Sequence, residues 1–301
     1  MQNRRTIIGV CLVGLSLSVG IAAAPTLTFT FKDVHANRTA KETDTYGLNG
    51  TGVIAGDYVD SANVQHGMIL KGTTLTTVNR SDCMTTPAAT SIAFYGINSA
   101  GVAAGWCANT SNVQIGFTYN SSTKKFTNIK ITGATLTNAN DINDTGEVVG
   151  TYQDASGKQH GFLLVGTTLT KLDPPGVTSL ATAWGINNKG VISIFGANSS
   201  GKYLSFTTAD KGKTYKPFHA PKEGPVGTAI HQINNLGDIV ATYFDASSNR
   251  HGVLFHTGKY YSFDDPSGIG STRADGLNDT LLIVGRYGAT TSVGFEATTH
   301  P

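Results

Sequence analysis

Charge is scarce in this chain: Asp, Glu, Lys and Arg together make up 14% of 301 residues, well under the roughly 25% of an average soluble domain. With a net charge of only +2, the composition excludes a disordered polyelectrolyte and a coiled coil. No long stretch carries an apolar period of 3.6 residues, which sets helical repeats aside. The sequence also contains no G-x-S-x-G, no H-E-x-x-H, no phosphate-cradling glycine loop and no paired Cys-His motif, so no standard catalytic constellation is written in it. Glycine, in contrast, is plentiful at 36 residues, above the usual ~7%.

The first 24 residues read as an export signal. Arg4 and Arg5 precede an apolar stretch from Ile7 to Ile21, and Ala22, Ala23 and Ala24 stand before Pro25. A charged start, an apolar middle and small residues at the cleavage point are what the secretory machinery requires. Val10 rather than a small residue precedes Cys11, which argues against a lipoprotein anchor. Arg4 and Arg5 are the only charges removed by cleavage near Ala24, so the net charge of +2 falls to zero. A neutral exported chain offers no global attraction for nucleic acid or an anionic membrane surface, and it keeps no membrane span. Cys83 and Cys107 remain, and an oxidising compartment makes them a candidate disulfide.

The remainder is a repeat. YGLNGTGVIAGDY from Tyr46, YGINSAGVAAGWC from Tyr95, NDINDTGEVVGTY from Asn140, WGINNKGVISIFG from Trp184, HQINNLGDIVATY from His231 and DGLNDTLLIVGRY from Asp275 align on Asn49, Asn98, Asn143, Asn187, Asn234 and Asn278. The spacing is 44 to 49 residues. A second anchor lies 18 residues after five of these asparagines, at Gly67, Gly116, Gly161, Ser205 and Gly252, and 16 after the last, at Gly294. A third run follows in most units, as in LTTV from Leu75 and LTKLD from Leu169. The runs are short, rich in β-branched and aromatic residues, and separated by Gly, Asn, Asp and Ser, so they are strands. In each Asn-centred turn the Asn accepts local backbone hydrogen bonds and the Gly supplies positive φ, which assigns the six asparagines to holding hairpins together.

Four strands per unit of about 46 residues is a propeller blade. The sequence therefore predicts an all-β, six-bladed β-propeller spanning residues 25–301, with antiparallel strands a to d running outward in each blade. The sixth copy lacks its strand d, while FTFKDV from Phe29 to Val34 is a strand d with no blade before it. This N-terminal segment is expected to complete the last blade and close the ring, removing an exposed sheet edge.

The pattern G-I-N-x-x-G-x-[IV]-V-G, then a D-A-S-G-like loop, then H-G-F, is fullest in NDINDTGEVVGTYQDASGKQHGFLLVGTTLTKLDPPG from Asn140. It resembles the bacterial extracellular repeats called the HAF family, over residues 41–297. The resemblance implies an exported propeller-like protein and supplies neither an agreed activity nor functional residues. The copy from Trp184 departs most, with Tyr203-Leu204-Ser205-Phe206 in place of His-Gly-Phe. That copy also contains Thr208-Ala209-Asp210-Lys211-Gly212-Lys213-Thr214-Tyr215, which is similar to the Asp box of sialidase-type propellers. The similarity implies a braced turn between strands c and d. A sialidase would need a converging arginine cluster, and after cleavage the arginines are Arg38, Arg80, Arg250, Arg273 and Arg286.

Three residues before each anchor Asn stand Tyr46, Tyr95, Asn140, Trp184, His231 and Asp275, a varied set beside uniformly apolar neighbours. A position free of packing demands is a candidate ligand position, and Tyr95 and Trp184 are the kind of residue that stacks on a sugar ring. The competing reading is that the six pack between blades. His66, His160 and His251 recur at one repeat position, in separate blades, and cannot share an ion. The Asp141–Gly146 loop has Tyr152 where a calcium loop needs a closing acid. Asp60, Asp82, Asp154, His219, Glu223, Asp245 and Asp265 are the loop carboxylates and bases that an acid–base mechanism would draw on, and equally are turn residues. The expectation is a monomeric exported binding or surface-interaction module without a cofactor, directed at an extracellular glycan or protein. A secreted hydrolase or lyase and a purely structural envelope protein are the alternatives.

Overall fold

The computed structural model describes residues 5–8, 26–80, 91–108 and 113–300, with the backbone alone for Arg5–Ile8. All helical and sheet structure among them is β-strand. After β1 (Arg5–Ile8) and β2 (Thr28–Val34), the first blade is β3 (Glu42–Leu48), β4 (Ile54–Val59), β5 (Gln65–Lys71) and β6 (Thr74–Val78). The second is β7 (Ile92–Ile97), β8 (Val102–Ala108), β9 (Gln114–Asn120) and β10 (Lys125–Asn128). The third is β11 (Leu136–Ile142), β12 (Val148–Gln153), β13 (Gln159–Val165) and β14 (Thr168–Leu172), and the fourth is β15 (Leu180–Ile186), β16 (Ile192–Ala197), β17 (Tyr203–Thr208) and β18 (Lys216–Phe218). A parallel bridge between Gln159 and Leu180 joins these two. The fifth is β19 (Thr228–Ile233), β20 (Ile239–Phe244), β21 (Arg250–His256) and β22 (Lys259–Phe263). The sixth has β23 (Arg273–Leu277), β24 (Ile283–Tyr287) and β25 (Val293–His300).

The missing strand of the sixth blade is β2. It runs antiparallel to β25 from Thr28 opposite His300 to Val34 opposite Gly294, as the orphan strand d in the sequence requires. Phe29 and Phe31 are fully buried there. β1 adds an outer strand against Thr28–Phe31. It falls inside the segment expected to be cleaved, whose cleavage point at Ala24 lies outside the described residues.

Six apolar cores form, each drawing on two neighbouring blades. The core between the sixth and first blades combines Val34 and Val284 with Leu48, Ile54, Tyr58 and Met68. The ring is therefore sealed by the same apolar burial that joins consecutive blades, the dominant favourable contribution to folding.

The second repeat anchor owes its small size to this packing. A Cβ placed on Gly67 would lie 2.7 Å from the Phe94 ring of the next blade, closer than side chains pack. Ser205 fits the same place because its hydroxyl donates to Thr228 O at 2.7 Å and accepts from Ile230 N at 2.9 Å.

Each anchor Asn braces its own turn and also reaches sideways. Asn187 Oδ1 accepts from Lys189 N and Val191 N at 3.0 and 2.9 Å, and Gly190 takes φ of 73°. Its Nδ2 donates to Asn234 O of the next blade at 2.9 Å. The same sideways bond runs from Asn49 to Asn98, Asn98 to Asn143, Asn143 to Asn187, Asn234 to Asn278 and Asn278 back to Asn49. Six side chains thus close a circle of hydrogen bonds around the axis. In the sixth turn Leu281 stands where glycine is usual and adopts φ of 58°.

Candidate functional site

Strands a and b of every blade slip register just before the anchor Asn, at Thr45/Gly47, Phe94/Gly96, Ala139/Asp141, Ala183/Gly185, Ile230/Ile233 and Ala274/Gly276. A bulge leaves a residue without a cross-strand partner and re-aims its side chain. Tyr46, Tyr95, Asn140, Trp184, His231 and Asp275 fall within these bulges, which is why that repeat position varies.

The bulges bring the six candidates together at the axis, where most of them fill space against one another. Tyr46 meets Tyr95 edge-on with ring centroids 4.6 Å apart, Tyr95 stacks on Trp184 at 5.3 Å, and Trp184 stacks on His231 at 5.0 Å. His231 Nδ1 lies 3.0 Å from Asp275 Oδ1, Asp275 Oδ2 lies 3.8 Å from Arg286 Nε, and the Arg286 guanidinium sits 4.4 Å from the Tyr46 ring centroid. Asn140 donates to Ala183 O at 2.9 Å. Tyr95 and Trp184 are half-buried, and the other four are buried. Burial pushes the Tyr46 hydroxyl well above its ordinary pKa and the Tyr95 hydroxyl up to about 12. Burial would also raise Asp275, but the Arg286 and Arg273 guanidiniums hold its carboxyl well below the usual carboxylate range. Burial depresses the His231 imidazole despite Asp275 beside it.

Next to the stack, Asp44 and Asp57 are cross-strand partners. Tyr46 donates to Asp44 Oδ2 at 3.1 Å and Gln65 Nε2 donates to Asp57 Oδ2 at 2.8 Å. Burial, reinforced by the neighbouring Asp44, raises the Asp57 pKa. At 3% exposure, Asp57 offers no surface to a substrate.

The two ends of the axis differ. The end carrying the Asn circle opens as a shallow bowl of about 220 Å³ rimmed by the anchor asparagines and the residues that follow them. Inside it Gln232 of the fifth blade donates to Asp141 Oδ2 of the third at 3.1 Å. The opposite end carries the b–c and d–a loops. Here a cleft of about 120 Å³ opens where the fourth, fifth and sixth blades meet, lined by Phe195, Tyr203, Ala229, His231, Thr242, Phe244, Arg250 and Arg273. Tyr203 and Phe244 come from neighbouring blades and face each other with centroids 5.9 Å apart, and Phe195 lies edge-on to Tyr203 at 5.7 Å. Thr242 is 2% exposed, and its hydroxyl has no hydrogen-bond partner.

The cleft residues Phe195, Tyr203, Thr242, Phe244, Arg250 and Arg273 were not among the sequence candidates, although two signals mark four of them. Sixteen residues after the anchor Asn, three repeats carry Gln65, Gln114 and Gln159, whereas the fourth and fifth carry Tyr203 and Arg250. Eight residues after the Asn, the residue varies from Asp57 and Trp106 to Thr151, Phe195, Thr242 and Arg286.

The recurrent histidines each serve their own blade. His160 bridges Asp173 at 2.8 Å and Asp154 at 3.1 Å, His251 bridges Asp264 at 2.8 Å and Asp245 at 3.4 Å, and His66 joins Asn79 at 2.7 Å and Asp60 at 3.1 Å. Each stacks on a tyrosine, Tyr152, Tyr243 or Tyr58. Asp60, Asp154 and Asp245 also accept backbone N–H groups of their own turns, and these bonds, with those from side chains, hold their pKa values low. Glu223 takes the Thr228 hydroxyl at 2.5 Å and lies 3.2 Å from Lys202 and 3.3 Å from His219, and Asp265 accepts Ser267 N at 2.8 Å. The loop acids are thus turn braces. Asp82 and Cys83 lie outside the described residues, while Cys107 is buried on β8. The Asp box behaves as its resemblance implies: Asp210 accepts the Thr214 N–H and hydroxyl at 2.9 and 2.7 Å, and these bonds bring its pKa down to about 2. No helix among the described residues is long and apolar enough to cross a membrane.

No protein-family model and no curated protein matches the chain. Solved structures do. The chain is similar to AofleA from Arthrobotrys oligospora, with a TM-score of 0.57 at 11% identity over 89% of this chain and 85% of that one. It is also similar to the Aleuria aurantia lectin in complex with Fucα1-6GlcNAc, with a TM-score of 0.54 at 12% identity over 87% and 95%. The SapL1 lectin in complex with α-methyl fucoside gives 0.53 at 11% identity over 86% and 94%. At such identities the likeness establishes the propeller fold.

Proposed function

We propose that this chain is an exported saccharide-binding propeller of the HAF-repeat type that works without a cofactor and engages its ligand on the face carrying the b–c and d–a loops. The observation carrying this reading is the cleft lined by Tyr203 and Phe244, two half-buried rings from neighbouring blades that pack against each other beside Arg250 and Arg273. Aromatic walls interleaved with polar groups suit the apolar face and hydroxyl edge of a sugar ring. The Aleuria aurantia and SapL1 lectins were solved with fucosides, which supports a saccharide as the ligand class for this fold. Binding is favoured over hydrolysis because the loop carboxylates are committed to turns and to histidines. Export through residues 1–24 and pairing of Cys83 with Cys107 belong to the same proposal.

The test is a glycan-panel screen followed by titration. Phe244→Ala and Tyr203→Ala are expected to weaken binding roughly tenfold or more with the fold intact, whereas the tightly stacked Tyr95 and Trp184 are expected to affect stability first. Undiminished binding in both cleft variants would refute the site. An absence of any glycan binding would leave the structural envelope role.

A further inference from the structure

The cleft has a charge as well as a shape. Arg250 is exposed at its rim, with its guanidinium 5.9 Å from the Phe244 ring centroid. Arg273 lines the inner side and is half-buried. Burial lowers the Arg273 pKa first, and the positive charges of Arg286 and Arg250 lower it further. Arg250 of the fifth blade and Arg273 of the sixth thus line the same cleft. The acid closest to Arg273 is Asp275, at 3.4 Å, and it is shared with Arg286 and His231. Asp245, beside Phe244 in sequence, is held by Asn249 and His251. Arg286 is also paired with Asp44 at 3.4 Å, which leaves Arg250 and Arg273 as the cations on the cleft lining. Guanidinium groups present planar pairs of N–H donors matched to a carboxylate.

Building on the saccharide reading, we propose that the cleft selects a sugar acid of the uronic type, its ring lying against the Tyr203–Phe244 pair and its carboxylate received by Arg250 and Arg273. Lining groups that are cationic and aromatic together select for a ligand that is anionic and cyclic together, which neither a neutral hexose nor a small anion satisfies.

The experiment titrates the intact exported chain with methyl β-D-glucuronide, methyl β-D-glucoside and acetate at low ionic strength. The first two differ only at C6, and acetate supplies the carboxylate without the ring. The glucuronide is expected to bind at least tenfold more tightly than either, with the advantage shrinking as salt is raised. Arg250→Gln, at an exposed site, is expected to fold normally and to shrink the glucuronide advantage at least threefold while leaving glucoside affinity unchanged; an undiminished advantage would overturn the role of Arg250. Equal binding of the two sugars by the unaltered chain would overturn the acid specificity while leaving the saccharide reading in place. Acetate binding as tightly as glucuronide would also overturn it, and failure of both sugars and every other glycan would overturn both readings.

Discussion

The side-chain amide of Asn278 in the last repeat donates to the backbone carbonyl of Asn49 in the first across 3.4 Å, the longest of the six bonds in the axial circle. A second series of such bonds lies beside it. Ser99 N donates to Asp144, Asp144 N to Asn188, Asn188 N to Asn235 and Asn235 N to Asp279, at 2.7 to 2.8 Å. At the seam this series stops, because the equivalent residue of the first blade is Gly50 and has no side chain to receive the Asp279 N–H. The seam is thus the most weakly bonded interface of the lower rim.

Extending the second series across the seam should stabilise the protein. A Cβ on Gly50 meets nothing within 4 Å. Gly50→Asn should therefore add one acceptor and reduce the freedom of the unfolded chain, a gain of about 1 kcal/mol. Thermal unfolding should shift up by roughly 2 °C; an unchanged or lower midpoint would show that the seam needs no such acceptor.

Closure by β2 carries much more energy. Phe29 is fully buried, and its ring centroid lies 4.6 Å from that of Phe263 in the fifth blade, so this N-terminal residue ties the sixth blade to the fifth. Phe29→Ala should cost about 3–5 kcal/mol in denaturant unfolding. A cost below about 1 kcal/mol would mean that the strand is not integral to the ring.

Asp141 supplies a pH dependence of stability with a definite sign. It is buried and bonded to Ile142 N, Ile186 N and Gln232 Nε2, and burial, opposed by those bonds, pushes its pKa up to about 7 from an unfolded value near 3.8. The folded state then holds the proton more tightly, so this contribution is complete below about pH 4 and is lost as pH rises to about 7. His231, whose pKa is depressed, acts in the opposite direction below its unfolded value of 6.5. Comparison with Asp141→Asn isolates the acid: the melting temperature of the variant minus that of the parent should rise between pH 4.5 and 7.5. A flat difference would contradict the assignment.

The architecture was legible because its determinants are local and repeated six times. Turn asparagines, small second anchors and the orphan strand Phe29–Val34 all show in one chain aligned on itself. The sideways half of the Asn role was not legible, since a turn motif does not say where Nδ2 points. The bulges hid the fate of Tyr46, Tyr95, Asn140, Trp184, His231 and Asp275: variation at a repeat position marks freedom from the regular ladder, and here that freedom is used to fill the axis. The cleft escaped because its walls come from three blades, and only the packing of consecutive blades sets Tyr203 beside Phe244 and Arg250 beside Arg273 on one lining.

The measurement that bears most directly on the proposed site is a crystal structure of the chain with bound methyl β-D-glucuronide. The account predicts the sugar ring against the Tyr203–Phe244 pair, with its carboxylate about 2.8 Å from the Arg250 and Arg273 guanidinium nitrogens. A glucuronide seated in the asparagine-rimmed bowl at the other end of the axis, or density absent from the cleft at saturating ligand, would contradict it.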